Sequence, residues 1–280
     1  MKHRPDVGGR QRGFTLTELA IVFVIVVLLL GGVLLTFAAQ SDARQIQETQ
    51  RTLQLARDAI VGFAISADRL PCPAAGGATG VEAFVNPAGP PVDRSCSVPI
   101  NGFVPALTLG IGPTDGQGYL IDSWGNRIRY SVSQWVSNPP AAPANCPPVG
   151  LPTPPNNPGP LDFTKCPVFT TQGAMKGLGL GTIPAGVASM LRVCNAAGCA
   201  VPPAPNAQIT FFVPAVLYSL GKNGAFPGVG ADEQENTNGD AIFVSRTPTP
   251  FDAPLAGFDD LVTWISPNIL YHRLIAAGAI

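Results

Sequence analysis

The sequence predicts an α+β protein in which one long N-terminal helix leads into a strand-bearing, loop-rich head. Three observations carry that expectation. From Leu19 to Leu35 the chain has no polar side chain. Apolar residues then continue at helical spacing, with Ile46, Leu53 and Ile60 seven apart and Ala56 and Phe63 beside them. Past Pro71 the texture changes: Gly and Pro number 31 and 30, charged residues are 12% of the chain, and short alternating runs replace the helical period.

The elements follow in order. Residues 1–13 form a basic leader, with Lys2, Arg4, Arg10 and Arg12 against Asp6. Such positives hold a leader on the cytoplasmic side of a membrane. The whole chain has a net charge of −1, so the part after the leader is more acidic still. That balance argues against an electrostatic grip on nucleic acid or anionic lipid. Residues 14–39 read as a membrane span with one carboxylate, Glu18, near its start. A carboxylate in hydrocarbon is disfavoured by roughly 2.5–3.5 kcal/mol, so something must neutralise or use it. A cut between Gly13 and Phe14 would create an α-amino group one helical turn from Glu18, and a helix N-terminus also favours an acid there.

Residues 40–69 form the amphipathic continuation, whose stripe is expected to pack on the head. Leu70-Pro71 should end the helix. A helix from Phe14 to Ala67 would be roughly 80 Å long at 1.5 Å per residue. Residues 70–280 make the head. The stretch to Gly118 is loop-rich, Tyr119-Leu120-Ile121 reads as a short strand, and Asp122 to Asn126 as a turn with Gly125 and Asn126 supplying its dihedrals. Arg127 to Val136 alternates, with Ile128, Tyr130, Val132 and Val136 on one face and Arg127, Arg129, Ser131 and Ser133 on the other. Residues 138–167 hold 11 prolines in 30 positions and read as an exposed insert that can neither pair in a sheet nor hold a helix. Further strands are expected near Val187–Cys194, Ile209–Val213, Ala241–Ser245 and Leu261–Ile265. Ser266-Pro267 reads as an N-cap and first helical position, opening a helix that stops at Gly278.

All six cysteines follow the apolar run, on the side where disulfides persist. Six allow 15 connectivities. Sequential pairing brackets one loop per bridge: Cys72–Cys96, Cys146–Cys166 and Cys194–Cys199. A zinc site is the rival, but it lacks C-x-x-C spacing and histidine partners. Catalytic machinery is sparse. His3 lies in the leader and His272 stands alone; G-x-S-x-G, H-E-x-x-H and a Walker loop are missing. The expectation is therefore a structural protein, not an enzyme, with no required cofactor.

Gly13, Phe14, Thr15, Leu16, Glu18 and Leu19, with the apolar run, resemble the signal shared by type IV pilins and the pseudopilins of type II secretion. Thr17 departs from the usual apolar residue, and the span lacks the proline of many major pilins. The resemblance implies a pilin-like fold: a protruding N-terminal helix packed on an antiparallel β-sheet head with disulfide-pinned loops. It implies cleavage between Gly13 and Phe14 by prepilin peptidase and N-methylation of the Phe14 amine. Glu18 and Phe14 would then direct assembly with other pilin or pseudopilin subunits through the helix, on an inner-membrane assembly platform. The head would sit in the periplasm before assembly, and the filament in the periplasm or at the cell surface afterwards.

Two later segments extend the resemblance. Asp122-Ser123-Trp124-Gly125-Asn126, followed by Tyr130, is similar to the D-P-W-G-N segment of type II secretion major pseudopilins. Tyr218 to Gly224 is similar to their S-x-G-x-D-G segment, which opens a calcium loop; Asn223 stands where that family has Asp. The implied ligands here are Asn223, Asp232, Glu235, Asn236, Asn238 and Asp240, with Glu233 among them in sequence. A solvated polar loop is the plain alternative. The chain thus reads as a pseudopilin or minor type IV pilin. Against this stand an ordinary secretory signal, a plain signal anchor, and a membrane-anchored periplasmic binding or adhesive protein that never polymerises.

Overall fold

A computed structural model of the chain describes residues 15–77, 79–85, 96–134, 167–177, 190–199, 208–224, 230–249 and 257–279, and for 30–39 the helical backbone alone. Gly13, Phe14, the Cys146–Cys166 pair and the Pro-rich stretch up to residue 166 lie outside the described residues. The chain divides into two compact units, Met1–Gln45 and Ile46–Ile280, and each is taken by itself.

The first helix, α1, spans Leu16–Ala67. Within the first unit its described apolar side chains, from Leu19 to Leu29, are exposed. Among the described residues no helix is long and apolar enough to cross a membrane. The side chains of 30–39, the second half of the apolar run, fall outside that description.

In the second unit α1 buries Thr49, Leu53, Ala56, Ile60 and Ala64, a spacing of three and four that puts all five on one face. Phe63, expected on this stripe, is only half-buried. It lies beneath the Arg69 guanidinium, 4.9 Å from the ring centre. The helix ends one turn before Pro71, because Asp68 enters the left-handed region at φ 55°.

The other elements are β1 (Gly102–Phe103), α2 (Ala106–Leu109), β2 (Arg129–Val132), a 3₁₀ turn (Ala174–Gly177), β3 (Leu191–Cys194), β4 (Gln208–Val213), β5 (Ala215–Ser219), α3 (Ala231–Thr237), β6 (Ile242–Val244), β7 (Leu261–Ile265) and α4 (Pro267–Ala276). The architecture is α+β. One sheet is antiparallel in the order β1-β2-β5-β7. A second has the order β4-β3-β6, with β3 antiparallel to β4 and parallel to β6.

Two cores result. The larger joins the α1 stripe to Leu70, Val104, Leu120, Ile128, Tyr130, Leu217, Leu270 and Leu274. The smaller joins Leu191, Val193, Val213, Val216, Tyr218 and Phe243. Strand β5 divides them: Ala215 and Leu217 face the first core, Val216 and Tyr218 the second. Burial on both faces explains why Ala-Val-Leu-Tyr-Ser shows no alternation, and why it is the principal strand missing from the sequence-based expectation. Pro214 separates it from β4 and gives its carbonyl to Ser133 N–H at 2.8 Å.

Strand β2 forms where expected but is shorter, and its second face is not solvated. Ser131 and Ser133 are fully buried. Their hydroxyls meet Asn101 N–H at 3.0 Å and Met190 Sδ at 3.1 Å. Tyr119 to Ile121 contributes only isolated bridges, Leu120 to Thr114 and Ile121 to Arg127. The 122–126 turn forms, with Gly125 at φ +85°; Asn126 does not take a positive φ. Strand β7 and helix α4 lie where the sequence places them, with Pro267 at the first helical turn. Ser266 has extended backbone there but makes no side-chain cap. Gly278, at φ +69°, follows the helix. His272 is exposed on α4. The disulfides Cys72–Cys96 and Cys194–Cys199 are present, and no described cysteine is free.

Candidate functional site

The first site lies at the start of α1. Thr15 is the N-cap and Glu18 the third helical residue, a reciprocal capping box. Glu18 Oε2 accepts from Thr15 N–H and from the Thr15 hydroxyl, both at 2.9 Å, and Glu18 N–H donates to Thr15 Oγ1 at 3.3 Å. The acid at the head of the apolar run therefore has local donors within its own helix. Sequence reasoning named Glu18 but passed over the T-x-x-E spacing that shows how it is held.

The two later segments of the resemblance meet in space. Asp122 Oδ1 accepts from Trp124 N–H at 2.9 Å and Asn126 N–H at 2.8 Å, which closes the turn. Its Oδ2 accepts from the Ser219 hydroxyl at 2.6 Å. Asn126 Nδ2 donates to the Gly221 carbonyl at 2.7 Å. On the other side, Ser123 N–H donates to Thr49 Oγ1 at 3.2 Å, with the two hydroxyls 2.8 Å apart. One turn thus ties α1 to the end of β5. Burial pushes the Asp122 carboxyl above its ordinary range, against the Ser219, Asn126 and Trp124 donors that favour its charge. Gly221 is required twice over: its φ is +64°, and a Cβ there would come 2.4 Å from the Asp259 carbonyl.

The third site is the acidic stretch. It does not form a loop with converging oxygens. Residues 231–237 are the helix α3, and its turn splits the acids between two faces. Asp232 and Glu235 face the Cys194–Cys199 turn. Asp232 accepts from Ala197 N–H at 2.8 Å and pairs with Arg246 at 2.7 Å. Glu235 is raised by burial and by the nearby Asp240 charge, while the Gly198 N–H opposes the shift. Glu233 and Asn236 point the other way. Asn236, fully buried, accepts from Val244 N–H at 2.6 Å and donates to the Val244 carbonyl and to Asp260 at 2.7 Å. Asn238 and Asp240 bond each other in an exposed turn.

The carboxylates that do converge are Glu233, Asp259 and Asp260, whose oxygens lie within 4.8 Å of one another. Asn223 donates its amide to both Glu233 oxygens at 3.1 Å. Burial drives Asp260 up to about 8, with the Glu233 and Asp259 charges adding to the rise and the Asn236 amide opposing it. Burial also raises Glu233. Of the oxygen-bearing side chains that the sequence offers in this stretch, Glu233 alone belongs to this carboxylate trio. Asp232 and Asn236 are engaged by other partners, and Asn223 presents a donor nitrogen. Among the described residues, Asp232, Asn236 and Asn238 thus have different partners from one another. Asp259 and Asp260 lie 19 or more residues beyond Asp240, so no local spacing could have linked them to α3.

A further buried pair was not legible in the sequence. Arg69 and Glu82 make a two-pronged ion pair, at 2.6 and 3.0 Å, beside the Cys72–Cys96 bridge. Glu82 also accepts from Cys72 N–H at 2.7 Å.

No curated protein and no solved structure matches the chain. Residues 8–34 match the family model of the prokaryotic N-terminal methylation motif. They contain the Gly13-Phe14 junction and the Thr15–Glu18 box. The chain carries the type IV pilin and pseudopilin signal.

Proposed function

We propose that the protein is a pilin-like structural subunit, a pseudopilin or minor type IV pilin, built into a type IV pilus or type II secretion filament. The methylation motif at 8–34 is the observation that carries this reading. Prepilin peptidase cuts between Gly13 and Phe14 and the new Phe14 amine is methylated. Before assembly the helix is held in the inner membrane, with the head in the periplasm. Subunits then pack through α1 on an inner-membrane platform. Glu18 pairs with the Phe14 amine of a neighbour and sets the register of the incoming subunit, since an acid at the head of an apolar run is further stabilised by an opposite charge. In the lone chain, the Thr15 donors hold that acid.

Two measurements test this. Mass spectrometry of protein from cells should find a chain beginning at N-methyl-Phe14, and Gly13→Ser should leave the leader attached. An intact leader on the parent protein would instead indicate a membrane-anchored binding or adhesive protein. Glu18→Ala should be processed normally yet lose most of its filament incorporation. Unchanged incorporation would remove the role assigned to Glu18.

A further inference from the structure

A cleft of about 300 Å³ opens where α1, the end of β7 and α4 meet. All of its walls belong to the second unit, Ile46–Ile280. We infer that this cleft is a binding site for a small monoanion with an apolar body, a carboxylate carried on an aliphatic or aromatic group. The inference stands apart from the filament reading, which uses none of these residues.

The cleft has an apolar lining. Val61 and Ile65 of α1 and Ile265 of β7 contribute to it, and Val61 and Ile265 are buried. Ile269 of α4 also lines it yet remains 45% exposed, so a ligand seated there would take apolar surface out of water. Gly62 keeps the space open. It lies within the helical run of α1, where glycine is the poorest helix former after proline. Its backbone is helical, and a Cβ there would meet no atom within 4 Å. Neither conformation nor crowding calls for a glycine at this position, whereas a side chain would take up room in the cleft.

The charges around the cleft are unbalanced. Arg57 and Arg273 line it against Asp58 alone. Arg57 meets Asp58 at 3.8 Å, between side chains 34% and 72% exposed, a contact of the weak surface kind. The Arg273 side chain has no hydrogen bond or ion pair among the described residues. Its place in the last turn of α4 suits the helix dipole but leaves its donors free. A guanidinium matches a carboxylate with two parallel N–H donors. Two cations and one acid favour a ligand with a single negative charge. A phosphate monoester would bring a charge of about −2 and set the excess against Asp58. The volume lies at the small end of ligand clefts, which suits one small molecule. A partner protein would need a much wider surface, roughly 800 Å² on each side.

The test uses the full chain in a neutral deuterated detergent, with phenylacetate and hexanoate as probes and NMR line broadening of the probe as the readout. At least one acid should bind at millimolar concentration or below. Its neutral amide, phenylacetamide or hexanamide, should bind at least about tenfold more weakly. Arg273→Gln should weaken the acid by a similar factor and leave the amide unchanged. Gly62→Leu fills the cleft, so it should abolish binding of the acid while keeping or raising the Tm. Uptake of a probe by the micelle is the same for every variant, so differences between variants report the cleft. Binding of both acids to the parent no better than to Gly62→Leu would overturn the inference. Equal binding of acid and amide would overturn it too, as would an Arg273→Gln protein that holds the acid as the parent does.

Discussion

Replacing Glu82 by alanine is expected to destabilise the second unit by about 3–5 kcal/mol, the usual result of removing one partner from a buried ion pair. The side chains of Arg69 and Glu82 are 9% and 10% exposed, so the arginine left behind would be a desolvated charge without a counter-ion. The Cys72 N–H would lose its acceptor as well. Arg69 is not easily moved to water. It lies over the Phe63 and Phe84 rings and donates to the Leu70 carbonyl at 3.2 Å. The predicted loss corresponds to a Tm fall of about 10 °C for a domain of this size. Glu82→Gln should also be destabilising, since it keeps an acceptor but not the charge. The double variant Arg69→Met, Glu82→Met should recover much of the loss, because two apolar groups cost less here than one orphaned ion. Urea unfolding of the variants decides it: a Glu82→Ala protein within about 1 kcal/mol of the parent means the pair contributes little, as surface pairs do.

Asp122→Ala should cost about 3 kcal/mol, because the change strands the Trp124 and Asn126 N–H groups and the Ser219 hydroxyl in a buried turn. Asp122→Asn is the informative contrast. Its Oδ1 still accepts both backbone N–H groups, and only the Ser219 bond must reorganise, so a loss of about 1 kcal/mol is expected. Ser219 is itself committed, because its oxygen accepts Gly221 N–H at 3.1 Å. Loss of Asp122 should therefore loosen both the hold on Thr49 of α1 and the end of β5. Amide exchange would read this as faster exchange at Trp124, Asn126 and Gly221. Equal stability of the alanine and asparagine variants would show that the turn is held by something else.

Much of the backbone was legible because it obeys a simple period. The α1 stripe repeats every three to four residues, and its buried members are Leu53, Ala56, Ile60 and Ala64. Strand β7 and helix α4 are bracketed by strong local signals, an apolar β-branched run and then Pro267. The bridge Cys194–Cys199 was readable because only four residues separate its ends. What failed to show had no local signature. Strand β5 is buried on both faces and has no alternation. Helix α3 reads as a polar loop, since Asp, Glu and Asn at its positions suit a turn as well as a helix.

The N-terminal signal was readable from residue order alone, because Gly13, Phe14, Glu18 and the rest of the stretch that matches the methylation motif are contiguous. The partners of the head's buried charges came to light through folding alone. Arg69 with Glu82, Asp122 with Ser219, and Glu233 with Asp259 and Asp260 are 13, 97 and 26–27 residues apart. A charge leaving water must find its complement wherever packing brings one, and that distance in space has no counterpart in the spacing of residues.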